Sequence, residues 1–207
     1  MYSNKLYAEK DLLEMHEFIK RNGFAILVSF NDQFPIATHI PLELVKNNQD
    51  QFVLHGHIAK ANQQEKTFLK HPNILAIFHG THSYISPSWY KEPNVPTWNY
   101  KAVHVYGKIK ILGEEELYKS LSELVKKYES TMENPMAVET MPQEMVRAEM
   151  KGIVGFEIDI ENIEGITKLS QNRSDEDHQK ITEELEKIDE PNSLTIAKEM
   201  KKIRNNG

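Results

Sequence analysis

The run from Val103 to Ile111 constrains the fold more than any other part of the sequence. Val103, Val105, Gly107, Ile109 and Ile111 alternate with His104, Tyr106, Lys108 and Lys110. A two-residue period puts the first set on one side of an extended chain, and no helix gathers it on one face. The run predicts a strand with one buried and one wetter side, and therefore a sheet for it to join. Four other runs after Phe24 read as strands, FAILVSF, PIATHIPLEL, QFVLHGHI and NILAIFHG, several separated by turn-forming Asn-Asp or Asn-Asn-Gln-Asp clusters. Later, Phe156, Ile158 and Ile160 alternate with Glu157 and Asp159, which predicts another half-buried strand with the two acids on the wetter side.

Between and around these runs the period changes to that of helices. Leu12, Leu13, Met15, Phe18 and Ile19 precede Gly23, in the place of a C-cap glycine. KANQQEKTFLKHP predicts a helix closed by Pro72. EEELYKSLSELVKKYEST carries its acids first and its leucines on one side, and a shorter helix is expected from about Pro142. About six antiparallel strands with helices at their edges predict a β-rich α+β fold, a small barrel with peripheral helices, in place of a parallel α/β sheet.

The chain has 207 residues and no cysteine, which removes thiol nucleophiles, redox pairs and thiolate metal sites. Its opening residues are charged where a signal peptide is apolar, so a cytoplasmic protein without a membrane span is expected. The formal net charge is −6, with acids concentrated between Asp175 and Glu190. Only the terminal run with Lys198, Lys201, Lys202 and Arg204 offers a basic face to nucleic acid.

Three regions carry candidate chemistry. His55 and His57 project from one side of a strand, a ligand-compatible spacing, but the positions reached after three and four intervening residues hold Ala61 and Asn62 where a cupin-type glutamate would stand, so no metal site is expected. GHIAKANQQ joins a strand to a helix start and supplies Lys60, Asn62 and backbone N–H groups, a combination able to hold a phosphate. YISPSWYKEPNVPTWNY packs Tyr84, Trp89, Tyr90, Trp98 and Tyr100 among three prolines, which suits either a planar ligand or a loop folded on the core. TKLSQNRSDEDHQ adds the polar run Ser170, Gln171, Asn172 and Arg173. No nucleophile elbow or paired-carboxylate motif is present.

Taken in order, GHIAKAN, HSYISPSWY, VPTWNYKAVHVYG and EGITKLSQNR resemble the PaiB family of bacterial FMN-binding transcriptional regulators, and MYSNKLYAEKD resembles that family's start. The resemblance extends to about Arg173, which divides the chain into a flavin-binding part, 1–173, and a C-terminal helical extension, 174–207. It implies a split β-barrel, a homodimer and FMN at the subunit interface. It places the flavin phosphate at Lys60 and Asn62, and the strand bearing His104 beside the isoalloxazine. His57, Ser86, Trp89, Trp98, Asn99, Tyr100, Gln171 and Arg173 complete the implied cofactor set. The chain departs from the family's common pattern at Gln63, Thr81 and Ile166–Thr167. The implied function is negative regulation of sporulation and extracellular protease production, with DNA as the partner such a role implies and the terminal basic run as the face that would meet it. The alternative is an FMN-dependent oxidoreductase or flavin-based redox sensor acting on a small molecule.

Overall fold

The computed structural model describes residues 1 and 4–205. Tyr2 and Ser3 of the opening motif, and residues 206 and 207 of the C-terminal extension, lie outside the described residues. The elements are β1 (Ala8–Glu9), α1 (Leu12–Arg21), β2 (Phe24–Phe30), β3 (Pro35–Pro41), β4 (Glu43–Lys46), β5 (Phe52–Ala59), β6 (Asn73–Ile85), β7 (Thr97–Ile111), α2 (Glu114–Glu129), α3 (Gln143–Met150), β8 (Ile153–Lys168), α4 (Asp175–Ile188) and α5 (Pro191–Asn205). The eight strands form one sheet in the order β3-β2-β6-β7-β8-β5-β4, with β1 also paired to β8. This is the expected β-rich α+β class, with helices at the periphery.

Several boundaries differ from the sequence reading for identifiable reasons. PIATHIPLEL is two strands because Pro41 interrupts the donors, and the next N–H, of Leu42, goes to the Gly23 carbonyl at 2.8 Å. Gly23 is thus a strand-pairing residue with no left-handed cap conformation, since no glycine has positive φ among the described residues. The helix predicted in KANQQEKTFLKHP shrinks to a 3₁₀ turn over Gln63–Thr67. Its inward residues are polar: Gln64 Nε2 donates to the Leu27 carbonyl at 3.0 Å, and Thr67 shares a hydrogen bond with Ser29 at 2.9 Å. Those bonds tie the turn to β2 and leave Leu69 largely exposed.

The chain divides into two compact units, through both of which β6, β7 and β8 run. The first comprises His16–Phe78 and His104–Ile163. In β2 the inward residues are Ala25, Leu27 and Ser29, and β2 pairs antiparallel with β3 (Phe24↔Pro41 to Phe30↔Pro35) and with β6 (Ile26↔Ile77, Val28↔Leu75). Its core includes Leu42, Leu54, Phe78 and Ile158, with Phe68 edge-on to Phe156 at 5.4 Å. β5 pairs with β4 and β8. At Gly107 the backbones of β7 and β8 approach so closely that a Cβ would lie 2.2 Å from the Asp159 carbonyl oxygen.

The second unit comprises Met1–Met15, His79–Val103 and Glu164–Gly207. Its core joins Ile85, Tyr90 and Leu169 to Ile181, Leu185, Ile196, Ala197 and Met200 from α4 and α5. Ser174 caps α4 by accepting from the Asp177 N–H at 3.2 Å, and three acids follow in the first turn. α4 ends at Asp189 with φ 57°, and Pro191 opens α5. Ser83 and Ser193 share a buried hydrogen bond of 3.1 Å that ties β6 to α5.

Candidate functional site

The predicted cofactor residues fall into two sets, one in each unit. In the first unit, β5 carries His57 and ends two residues later at Ala59, where the Lys60 N–H donates to the Gly152 carbonyl at 2.9 Å. Lys60 is exposed and forms no ion pair among the described residues. Asn62 caps the 3₁₀ turn: its Oδ1 accepts from the Gln64 N–H at 3.0 Å and its Nδ2 donates to Thr38 Oγ1 at 3.0 Å. The local sequence therefore holds a free ammonium beside a rigid, capped turn. That pairing of a cation with fixed polar groups fits a phosphomonoester. His57 is half-buried, and burial holds its imidazole below the ordinary range. His104, on β7, is half-buried with its ring 6.4 Å from that of Tyr106.

The same unit has an apolar surface that alternation did not reveal. Phe24, Ile26, Val28 and Phe30 point away from the core on β2, and their register partners Leu75 and Ile77 on β6 are likewise only half-buried. Phe24 and Phe30 are 61% and 44% exposed. The visible signal is FAILVSF itself, which is apolar on both sides and so belongs to a strand covered on both. Such a surface suits a flat, apolar partner.

Glu157 corrects the sequence reading. It was expected on the wetter side of its strand, yet it is 6% exposed. His55 Nε2 lies 2.8 Å from one carboxylate oxygen and Lys110 Nζ 2.7 Å from the other. Burial pushes this carboxyl up, but the bonds from Lys110 and His55 outweigh it and hold the group below the ordinary glutamate range. His55 is thereby committed to a structural contact.

In the second unit the predicted residues are unequally available. Asn99 is fully buried, exchanging hydrogen bonds of 3.0 and 3.1 Å with the Ser170 hydroxyl. Gln171 spends its side chain on its own loop, accepting from the Leu169 N–H at 2.8 Å and donating to the Thr167 carbonyl at 2.6 Å. Ser170 sits at φ 57° between them. Trp89 packs on the α4–α5 core, and Ser86 caps the turn Pro87–Trp89. By contrast, Trp98 is 52% exposed, with His82 and Tyr84 each 5.8 Å away, and Tyr100 is half-buried. The Arg173 guanidinium lies over the Tyr90 ring at 4.8 Å. His82 belongs to this surface but was not singled out in the sequence, because it does not depart from the polar side of a strand until its neighbours are known.

Comparison with known proteins decides the family. Residues 1–162 match the family model described as "Putative FMN-binding domain". The chain is 40% identical over 200 residues to "Protease synthase and sporulation protein PAI 2" of Bacillus subtilis (strain 168), covering 97% of this chain and 96% of that one. This chain belongs to the PaiB family of FMN-binding split-barrel proteins. Among solved structures, the FAD and heme binding protein from Mycobacterium smegmatis aligns with a TM-score of 0.60 at 10% identity, over 83% of this chain and 78% of that one. The flavocytochrome Anf3 from Azotobacter vinelandii aligns with a TM-score of 0.56 at 13% identity, over 81% and 72%. These two share the split-barrel fold with the PaiB family.

Proposed function

We propose that this chain is a PaiB-type negative regulator of sporulation and extracellular protease production, working in the cytoplasm as an FMN-binding homodimer. The observation that carries the reading is the match to PAI 2 at 40% identity along nearly the whole of both chains. The homodimer is supported by the exposed apolar side of β2, which a second copy would remove from water. FMN, when bound, supplies a flavin able to exchange electrons or hydride, while the protein supplies orientation and local charge.

The flavin phosphate is assigned to Lys60 and Asn62, with His57 and His104 the neighbouring groups in that unit. In the other unit Ser86, Trp89, Trp98 and Tyr100 form a second candidate surface for the planar ring. Asn99 and Gln171 belong to the cofactor set as positioning residues, because their amides hold the Leu169–Arg173 loop. The flavin-binding part is taken as 1–173 and the helical extension as 174–207.

A second reading, a flavin enzyme or redox sensor for a small molecule, is favoured by one observation. Of the terminal basic run, Lys201 pairs with Glu186 at 2.6 Å and Arg204 with Asp175, which leaves few cations free for a DNA backbone. The experiment is an absorption spectrum with added FMN, gel filtration to see whether flavin elutes with a dimer, then DNA retardation with oxidised and reduced flavin. Specific retardation that survives moderate salt supports the regulator. FMN reduction by a nicotinamide cofactor without retardation supports the enzyme. Lys60→Ala is expected to weaken FMN binding about tenfold through loss of one charge-assisted contact, measured by fluorescence quenching, and unchanged affinity would remove the phosphate from Lys60.

A further inference from the structure

Two cations of the second unit stand out because the acids around them are already taken. Lys168, the last residue of β8, and Arg173, five residues on, are both half-buried. Neither forms an ion pair among the described residues. The neighbouring carboxylates are spent elsewhere: Glu176 pairs with Lys91 Nζ at 2.8 Å, Asp177 accepts from the Lys91 N–H at 2.8 Å, and Asp175 pairs with Arg204. Lys168 instead donates to Thr97 Oγ1 and lies 5.7 Å from the Tyr7 ring centre, and Arg173 lies over Tyr90. Burial, and then the Arg173 guanidinium, hold the Lys168 amine below the ordinary lysine range.

Two like charges kept together, partly out of water, cost free energy that an anion between them would recover. The loop that carries Arg173 is held rigidly. Ser170 is locked to Asn99, Gln171 to Thr167 and Leu169, and Arg204 donates to the Arg173 carbonyl at 3.0 Å. The arrangement is preorganised for its ligand. A double positive charge with a fork of guanidinium donors and an adjacent hydroxyl matches a dianionic oxyanion better than a single carboxylate.

We propose that Lys168 and Arg173 form a binding site for a phosphate or phosphomonoester group carried by a small molecule other than the flavin. FMN has one phosphate, so the proposal rests on the assignment of that phosphate to Lys60 and Asn62. Occupancy would report the level of a phosphorylated metabolite to the flavin protein.

The test uses the full chain, with and without bound FMN, and inorganic phosphate as probe at constant ionic strength. Brief acetylation followed by mass spectrometry reads the reactivity of each lysine. Lys168 is expected to react at lower pH than exposed lysines such as Lys66, and phosphate should slow it several-fold while Lys66 is unaffected. Arg173→Ala should abolish that protection, whereas Arg173→Lys should retain part of it. If phosphate leaves Lys168 reactivity unchanged in the wild-type chain, the proposal is overturned, whether or not the variants fold. If phosphate protects only the FMN-free chain, and Arg173→Ala weakens FMN while Lys60→Ala does not, the flavin phosphate occupies this pair and both assignments fail. If Lys60→Ala and Arg173→Ala both leave FMN binding intact and phosphate still protects, the Lys60 assignment fails and this one stands.

Discussion

At the scale of single residues, the positions that decide the fold are those with no freedom to relax. Gly107 is the clearest, since the atom that a Cβ would strike is the Asp159 backbone oxygen at 2.2 Å. Gly107→Ala is expected to cost about 3 kcal/mol as an overpacked core site, read as a lowered urea midpoint with an unchanged slope. The alternation of Val103–Ile111 placed Gly107 on the inward side, but it held no hint that another backbone presses there. Glu157 behaves oppositely: its sequence position indicated exposure, and only the folded sheet supplies Lys110 and His55 to justify burial. Glu157→Ala should cost about 2 kcal/mol, between the values of exposed and fully buried pairs. Because its carboxyl titrates below the ordinary range when folded, this contribution is complete above the unfolded carboxyl pKa of about 4.3. It is lost as pH falls through the folded value. Glu157→Gln should flatten the acid limb of a denaturation-versus-pH curve.

At the scale of elements, periodicity found what depends on one neighbour and missed what depends on several. The β7 alternation, α2 and the short α3 were legible because each shows one face to a core. β6 was read only as far as Gly80, yet it continues to Ile85, because Ser83 and Ile85 are held by α4 and α5 residues more than ninety positions later in the sequence. The helix expected of KANQQEKTFLKHP gave way to a 3₁₀ turn, because hydrogen bonds from the polar Gln64 and Thr67 fix its inward side. α4 ends on Asp189 in the left-handed region, where glycine has no steric penalty. Asp189→Gly is therefore expected to raise stability by up to about 1 kcal/mol, measured by thermal melting. On β2, Val28→Asp faces outward and should leave the circular dichroism spectrum intact while shifting the sedimentation coefficient toward monomer. A dimer that persists would put the interface elsewhere.

At the scale of the whole molecule, buried imidazoles set the response to acid. Burial, then Lys20, hold His16 below the ordinary range; burial alone does so for His57; burial, then Arg204, do so for His178. Each is neutral in the folded chain at pH values where the unfolded chain has begun to take up protons. The stability these groups contribute is complete above the unfolded imidazole pKa of about 6.5 and is lost as pH falls toward their folded values. Urea midpoints measured between about pH 7.5 and pH 5 should therefore decline, and replacing His57 by Gln should shallow that decline.

The prolines at the two ends of β3 bear on how a freshly made chain survives in a crowded solution. β3 is the terminal strand of the sheet order, and it begins at Pro35 and finishes at Pro41. Neither residue has an N–H to offer an incoming strand, so a stranger cannot zip along this border from either end. The sticky surface of β2 beside it is then approachable only broadside. Fibrils grow by stacking strand upon strand at a border, and here that route is blunted. The molecule can leave a greasy patch bare with little risk of seeding an insoluble aggregate.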